Sequence, residues 1–149
     1  IMKLIEKYDI QTEGKNCLVV GRSNIVGRPI SILMSLRGKY ANSTVTIAHS
    51  RSKNLIELTS KADIIIMALG IPEFLKSDMI QKGSTVIDVG ITRVEDKSKK
   101  NGYTIKGDVD FKSVSKKAKY LTPVPGGVGP MTIAMLLQNT LDARLLNSS

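Results

Sequence analysis

The sequence predicts an α/β fold in which a mainly parallel, doubly wound sheet carries helices on its two faces. Three observations carry that expectation. Four apolar runs (Cys17-Leu18-Val19-Val20, Val45-Thr46-Ile47-Ala48, Ile64 through Leu69, and Val86-Ile87-Asp88-Val89) are short, rich in β-branched residues and nearly continuous. A strand covered on both faces needs apolar residues at every position, whereas a half-exposed strand alternates. Stretches with helical spacing separate the runs, and repeated strand-then-helix order means parallel strands joined by right-handed crossovers. The runs also end in glycine-containing or polar segments, as ligand-binding loops at the carboxyl ends of such strands do.

Taken in order, the chain opens on Ile1-Met2-Lys3-Leu4-Ile5-Glu6-Lys7, where charges interrupt every apolar run, followed by the first strand at residues 17–20. Ile30, Leu33, Met34 and Leu36 then recur at helical spacing. The second strand, at residues 45–48, leads to a helix carrying Leu55, Ile56, Leu58 and Ala62. After the third strand, Phe74, Leu75, Met79 and Ile80 predict a shorter helix ending near Gly83. The fourth strand precedes a polar, lysine-rich stretch, residues 92–106, in which Asn101-Gly102 signals a turn, so an exposed loop or hairpin is expected. A short fifth strand is expected at Tyr120-Leu121-Thr122. Beyond Pro130 the pattern predicts an amphipathic helix, with Ile133, Leu136, Leu137 and Leu141 on one face and Gln138, Asn139 and Asp142 on the other. The architecture is that of a Rossmann-type domain over residues 1–149.

The bulk properties narrow the function classes. The chain has 149 residues, 42% of them hydrophobic and 23% charged, which suits one domain with one core. Its apolar stretches are too short for a membrane-spanning helix, and the N-terminal residues lack the pattern of a signal peptide. Cys17 is the one cysteine, so no internal disulfide or cysteine zinc site can form, and no metal site is expected. Together these favour a reducing compartment, the cytoplasm, or an organelle matrix if the source is eukaryotic. The formal charge of +9 raises a nucleic-acid reading. However, the lysines cluster at Lys97, Lys99 and Lys100 and at Lys112, Lys116, Lys117 and Lys119 without interleaved aromatics. A solvated basic face, partly serving an anionic cofactor, fits better than a base-stacking platform.

Candidate chemistry sits at the strand ends. The first strand runs into Gly21-Arg22-Ser23-Asn24-Ile25-Val26-Gly27-Arg28-Pro29. Gly21 permits a tight turn and close approach of a ligand to the backbone, and Pro29 fits the first turn of a helix. The helix start would offer free amides and its positive dipole end to a pyrophosphate. The second strand ends in His49-Ser50-Arg51-Ser52, where an NAD-specific domain carries an acid for the ribose 2′-hydroxyl. With no acid there, a serine and the arginines Arg51 and Arg22 suit a 2′-phosphate, so NADP is expected over NAD. A polar strand end with an ordinary helix cap would read the same way. His49, the one histidine, is expected to be structural rather than a general base. The fifth strand exits through Thr122-Pro123-Val124-Pro125-Gly126-Gly127-Val128-Gly129-Pro130-Met131-Thr132, with three glycines and three prolines in eight residues. So rigid and side-chain-poor a loop presents backbone to a flat ligand.

Three segments carry a specific resemblance. They are Val19-Val20-Gly21-Arg22-Ser23 continuing to Val26-Gly27 and Pro29, then Lys106-Gly107-Asp108-Val109-Asp110, and the Thr122–Thr132 loop running on to Asn139-Thr140. In these the chain resembles the bifunctional methylenetetrahydrofolate dehydrogenase/methenyltetrahydrofolate cyclohydrolase family over nearly its whole length. The resemblance implies that Gly21, Arg22 and Ser23 form the cofactor loop, that Ser50 contacts the 2′-phosphate with Arg22 as cationic partner, and that Ile91 and Thr132 contact the cofactor further along. It implies that Pro125, Gly126, Gly127, Val128 and Gly129 line the cleft shared by nicotinamide and folate substrate. It also implies a homodimer that oxidises 5,10-methylenetetrahydrofolate with NADP and hydrolyses the methenyl product to 10-formyltetrahydrofolate.

The family's catalytic pair, Tyr-x-x-x-Lys in an N-terminal folate-binding domain, has no counterpart here. Four residues after Tyr8, Tyr40, Tyr103 and Tyr120 stand Thr12, Thr44, Gly107 and Val124. The expectation is therefore a cofactor half without catalytic residues of its own, inactive alone, whose folate site is shared with a domain absent from this chain. The alternative is a non-enzymatic nucleotide-binding module.

Overall fold

The first apolar run forms β1 (Asn16–Val20), central because it pairs in parallel with both β2 (Thr44–Ala48) and β3 (Ile64–Met67). β3 continues to β4 (Thr85–Asp88), and β4 to the short β7 (Tyr120–Leu121), giving a five-stranded parallel sheet of order β2-β1-β3-β4-β7. The computed structural model describes residues 1–147; the expected domain span includes Ser148 and Ser149, which lie outside the described residues.

The continuous runs reflect two covered faces. Leu18 and Val20 of β1, with Ile65, Met67 and Val86, pack on one side against Ala62, Leu75, Met79, Ile80 and Val114. Cys17 and Val19, with Ile64, Ile66 and Ile87, pack on the other against Ile5, Ile30, Met34 and Val128. Helix α1 (Met2–Lys7) and α2 (Gly27–Ser35) thus cover one face, while α3 (Leu55–Lys61) and α4 (Phe111–Val114) lie on the other. This is the doubly wound arrangement expected, and the strand order reverses between β1 and β3, where such sheets open a crevice.

Burial pushes the Cys17 thiol up to about 12. The native chain should therefore resist thiol reagents at pH 8, with labelling appearing only as denaturant unfolds it. Rapid native labelling would show that this face of the sheet opens locally.

Two elements depart from expectation. The segment around Phe74–Ile80 is not an α-helix but an extended stretch with a 3-10 turn at Ser77–Met79. Gly70 and Glu73 take positive φ, and Leu75 forms an isolated parallel bridge with Val109. Its backbone bonds go sideways, Leu75 N–H to the Asp108 carbonyl and Asp110 N–H to the Leu75 carbonyl, both at 2.9 Å, and so are not available to a helix.

The last helix, α5 (Val128–Leu146), begins two residues before Pro130 and buries only Val128 among its residues. Ile133, Leu136, Leu137 and Leu141 are 66, 66, 69 and 53% exposed, so the expected apolar face does not pack on this sheet. Apolar residues also occupy Ala134, Met135, Leu145 and Leu146, spreading around the helix rather than forming a stripe.

The stretch at residues 92–106 is a hairpin, β5 (Thr92–Glu95) paired antiparallel with β6 (Tyr103–Lys106), turning at Gly102 with φ +75°. Arg93 lies over the Tyr103 ring at 4.8 Å. Among the described residues no helix is long and apolar enough to cross a membrane.

Candidate functional site

Because Val20 pairs with Ala48, the loops leaving β1 and β2 emerge side by side at the carboxyl end of the sheet. Gly21 closes this junction: its N–H donates to the Ala48 carbonyl at 2.8 Å, and its φ of +132° lies outside the range of residues with a Cβ. A Cβ there would run into the Ala68 carbonyl oxygen, and one on Gly27 would run into the Gly21 carbonyl oxygen. Strand, loop and helix therefore touch backbone to backbone. Arg22, Ser23 and Ser50 are all exposed at this corner, so the expected phosphate-end residues are brought together.

The way the loop is built differs from the expectation. Ser23 Oγ accepts from the Val26 N–H at 3.1 Å and the Gly27 N–H at 3.3 Å, and the Ser23 carbonyl accepts from Arg28 N–H at 3.0 Å. Pro29 has no N–H, so the first turn of α2 offers no free amide. The unused donors are instead the loop amides of Arg22, Ser23, Asn24 and Ile25, which donate to nothing among the described residues. An anion here would be held by the loop, with the α2 dipole behind it. At the β2 exit, His49 Nδ1 accepts from Arg51 N–H at 3.2 Å and Ser52 Oγ accepts from His49 N–H at 3.0 Å. The histidine shapes the turn that presents Ser50.

The remaining expected residues meet at a second place on the same sheet edge. A cavity of about 220 Å³ is lined by Asp88, Gly90, Ile91, Ile105 and the 123–130 loop with Thr132. It gathers Ile91, Pro125, Gly126, Gly127, Val128, Gly129 and Thr132, and none of Gly21, Arg22, Ser23 or Ser50 lines it. The loop packs closely on itself, since a Cβ on Gly127 would strike the Pro123 carbonyl. Thr132 spends its hydroxyl proton on the Val128 carbonyl at 3.0 Å, leaving its oxygen able only to accept. Ile91 is 65% exposed at the cavity rim.

Beneath this cavity lies a pair of acids that the residue patterns did not single out. Asp88 is buried and accepts N–H bonds from Gly90 at 2.9 Å, Asp108 at 3.0 Å and Val109 at 3.0 Å. Asp108, 0% exposed, accepts from Leu69 at 2.6 Å and Gly70 at 2.9 Å through Oδ2, while its buried Oδ1 has no partner. Each carboxyl fills the space beside the other's glycine: a Cβ on Gly90 would meet Asp108, and one on Gly107 would meet Asp88. Burial raises the Asp88 carboxyl above its usual range, the three N–H donors oppose that, and the neighbouring Asp108 charge adds to it. The available signal was an acid inside an otherwise apolar strand, since aspartate is almost never fully buried unless paired. Among the described residues no cluster of His, Cys, Asp and Glu could hold a metal ion.

Comparison with known proteins gives a consistent result. Residues 1–147 match the family described as tetrahydrofolate dehydrogenase/cyclohydrolase, NAD(P)-binding domain. The bifunctional protein FolD of Flavobacterium johnsoniae is 66% identical over 149 residues, which is 100% of this chain and 50% of that protein. Among solved structures, the FolD methylenetetrahydrofolate dehydrogenase/cyclohydrolase of Campylobacter jejuni superposes with a TM-score of 0.84 at 50% identity, covering 95% of this chain and 46% of that one. The Trypanosoma brucei enzyme, solved with NADP cofactor and inhibitor, gives a TM-score of 0.87 at 41% identity, covering 94% and 46%. The chain thus spans about half the length of the relatives it matches.

Proposed function

Since the chain belongs to the tetrahydrofolate dehydrogenase/cyclohydrolase family as its NAD(P)-binding domain, we propose that it is the NADP-holding half of a bifunctional enzyme. That enzyme oxidises 5,10-methylenetetrahydrofolate to the methenyl compound and hydrolyses the product to 10-formyltetrahydrofolate. The observation that carries the reading is the pairing of two sites along one sheet edge. A polar, amide-lined corner lies beyond β1 and β2, and an apolar cavity lies beyond β4 and β7. A dinucleotide laid across the carboxyl ends of the strands needs both, phosphate at one end and a flat ring at the other.

The residues fit that cofactor. Gly21 and Gly27 let strand, loop and helix pack backbone to backbone, which fixes the loop, and the Arg22–Ile25 amides supply unpaired donors for a pyrophosphate. Arg22 and Ser50 answer a 2′-phosphate where an acid would repel it. Ile91 and Thr132 flank the ring, and Pro125 to Gly129 form the wall between ring and folate. Bound in this way, NADP supplies the hydride acceptor. The chain's own contribution is to hold that acceptor, present one face of it and exclude water behind it.

The catalytic groups for folate belong, on this reading, to a further domain, and residues 1–149 are the cofactor module. The exposed Ile133, Leu136, Leu137 and Leu141 of α5 favour such a neighbour, because so much apolar surface on one helix costs solubility unless covered. The enzyme is read as a homodimer, and the lone buried Cys17 suits the cytoplasm.

Fusion to the folate-side half of the Flavobacterium johnsoniae relative tests this. The chimera should form methenyltetrahydrofolate with NADP, while the chain alone should not. Turnover by the pure chain would contradict the division of labour.

A further inference from the structure

Resting on the NADP reading, we propose that Asp88 and Asp108 set the redox preference of this site, favouring the oxidised, cationic nicotinamide over the neutral reduced one.

The carboxyls form the floor under the ring cavity. Asp88 lines it directly, and Asp108 Oδ1 packs against Gly90, itself a wall residue. Five backbone N–H groups serve the pair, with Asp88 Oδ1 and Asp108 Oδ2 each accepting two of them and Asp88 Oδ2 the fifth. No lysine, arginine or histidine bridges to either among the described residues, and no metal cluster is formed. Buried charges are ordinarily paired or metal-bound, and a fully buried carboxyl oxygen with no partner is costly. A purely structural clamp would do better with neutral acceptors, which take N–H bonds without this penalty. What the arrangement lacks is a positive charge. The oxidised nicotinamide ring carries one and the reduced ring, with a hydride added at C4, does not, while the rest of the dinucleotide is the same in both.

A unit charge about 8 Å away, acting through an effective dielectric of about 20, changes affinity roughly thirtyfold. Partial screening and sharing of the charge between the acids leave an expected effect of roughly three- to thirtyfold. Asp88 and Asp108 are positioning residues in this account: they act on the ring through the field and through the Gly90–Ile91 backbone.

The test measures dissociation constants of the chain for NADP+, NADPH and 2′,5′-ADP, which carries the phosphate end alone. The wild-type chain should bind NADP+ more tightly than NADPH. Asp88→Asn and Asp108→Asn should each shift the NADP+ to NADPH ratio toward NADPH, leaving 2′,5′-ADP unchanged. Equal losses for both redox forms would mean a merely structural role and overturn the proposal. Should either variant fail to fold, the wild-type ratio decides: equal affinity, or preference for NADPH, overturns it. Binding of 2′,5′-ADP with an unmoved ratio sinks this inference alone, whereas no binding of any of the three sinks the NADP reading with it.

Discussion

Replacing Gly21 by alanine is expected to abolish cofactor binding and to destabilise the chain by about 2–6 kcal/mol. Two independent costs combine there. The backbone φ of +132° carries strain of about 1–3 kcal/mol for any residue with a Cβ. The added methyl also meets the Ala68 carbonyl at the junction of β1 and β3, and overpacking of that kind costs about 1–3 kcal/mol. The loop cannot escape by shifting outward, because Gly27 already packs on the Gly21 carbonyl from the helix side. Chemical denaturation followed by NADP titration of the folded remainder checks both effects. A variant with wild-type stability and affinity would show that the loop has slack the structure does not contain. Gly14, by contrast, has open space around it, so its alanine variant should suffer only from its φ of +69°.

The second large effect concerns cofactor choice. Arg22→Ala and Ser50→Ala should each weaken NADP binding by about ten- to hundredfold, the worth of a charge-assisted hydrogen bond of about 1.5–3 kcal/mol. NAD affinity should change little, since NAD offers no phosphate at that corner. Both side chains are exposed in the absence of ligand, so neither truncation should disturb folding. Parallel titrations with the two cofactors separate the outcomes. Equal losses for NADP and NAD would mean that these residues hold the pyrophosphate or the loop and that the 2′-phosphate lies elsewhere. The Arg22 effect should also shrink as salt rises, the Ser50 effect less so.

How much of this was legible beforehand follows from where the physics is local. The central strands were readable because covering by helices on both faces demands apolar residues at consecutive positions, and Ile64–Met67 obeys that demand fully. The segment after β3 was not. Phe74, Leu75, Met79 and Ile80 have helical spacing, but the backbone of Leu75, and of Glu73 before it, is captured by Gly107–Asp110, more than thirty residues away. Helix α5 was found, yet its apolar positions face outward, since residue spacing records that a side should be buried and not against what.

At the site, the glycines and prolines announced both loops by composition. The free amides were less visible. Ser23 takes up the amides at the start of α2 with its own hydroxyl and carbonyl, which shifts the anion donors back to Arg22–Ile25. The buried acids were hidden in a different way. An aspartate inside an apolar run marks an acid that must find partners without saying which, and only the fold reveals that Asp88 reaches across to Asp108-Val109.

The most direct test is a pair of amide NMR titrations of the chain, one with NADP and one with 2′,5′-ADP. A dinucleotide lying across the strand ends should shift two separate groups of signals with NADP: Arg22–Ile25 with Ser50, and Gly90–Ile91 with Gly126–Thr132. The fragment 2′,5′-ADP should shift the first group alone. Shifts confined to one group with NADP, or centred on the opposite end of the sheet, would contradict the account.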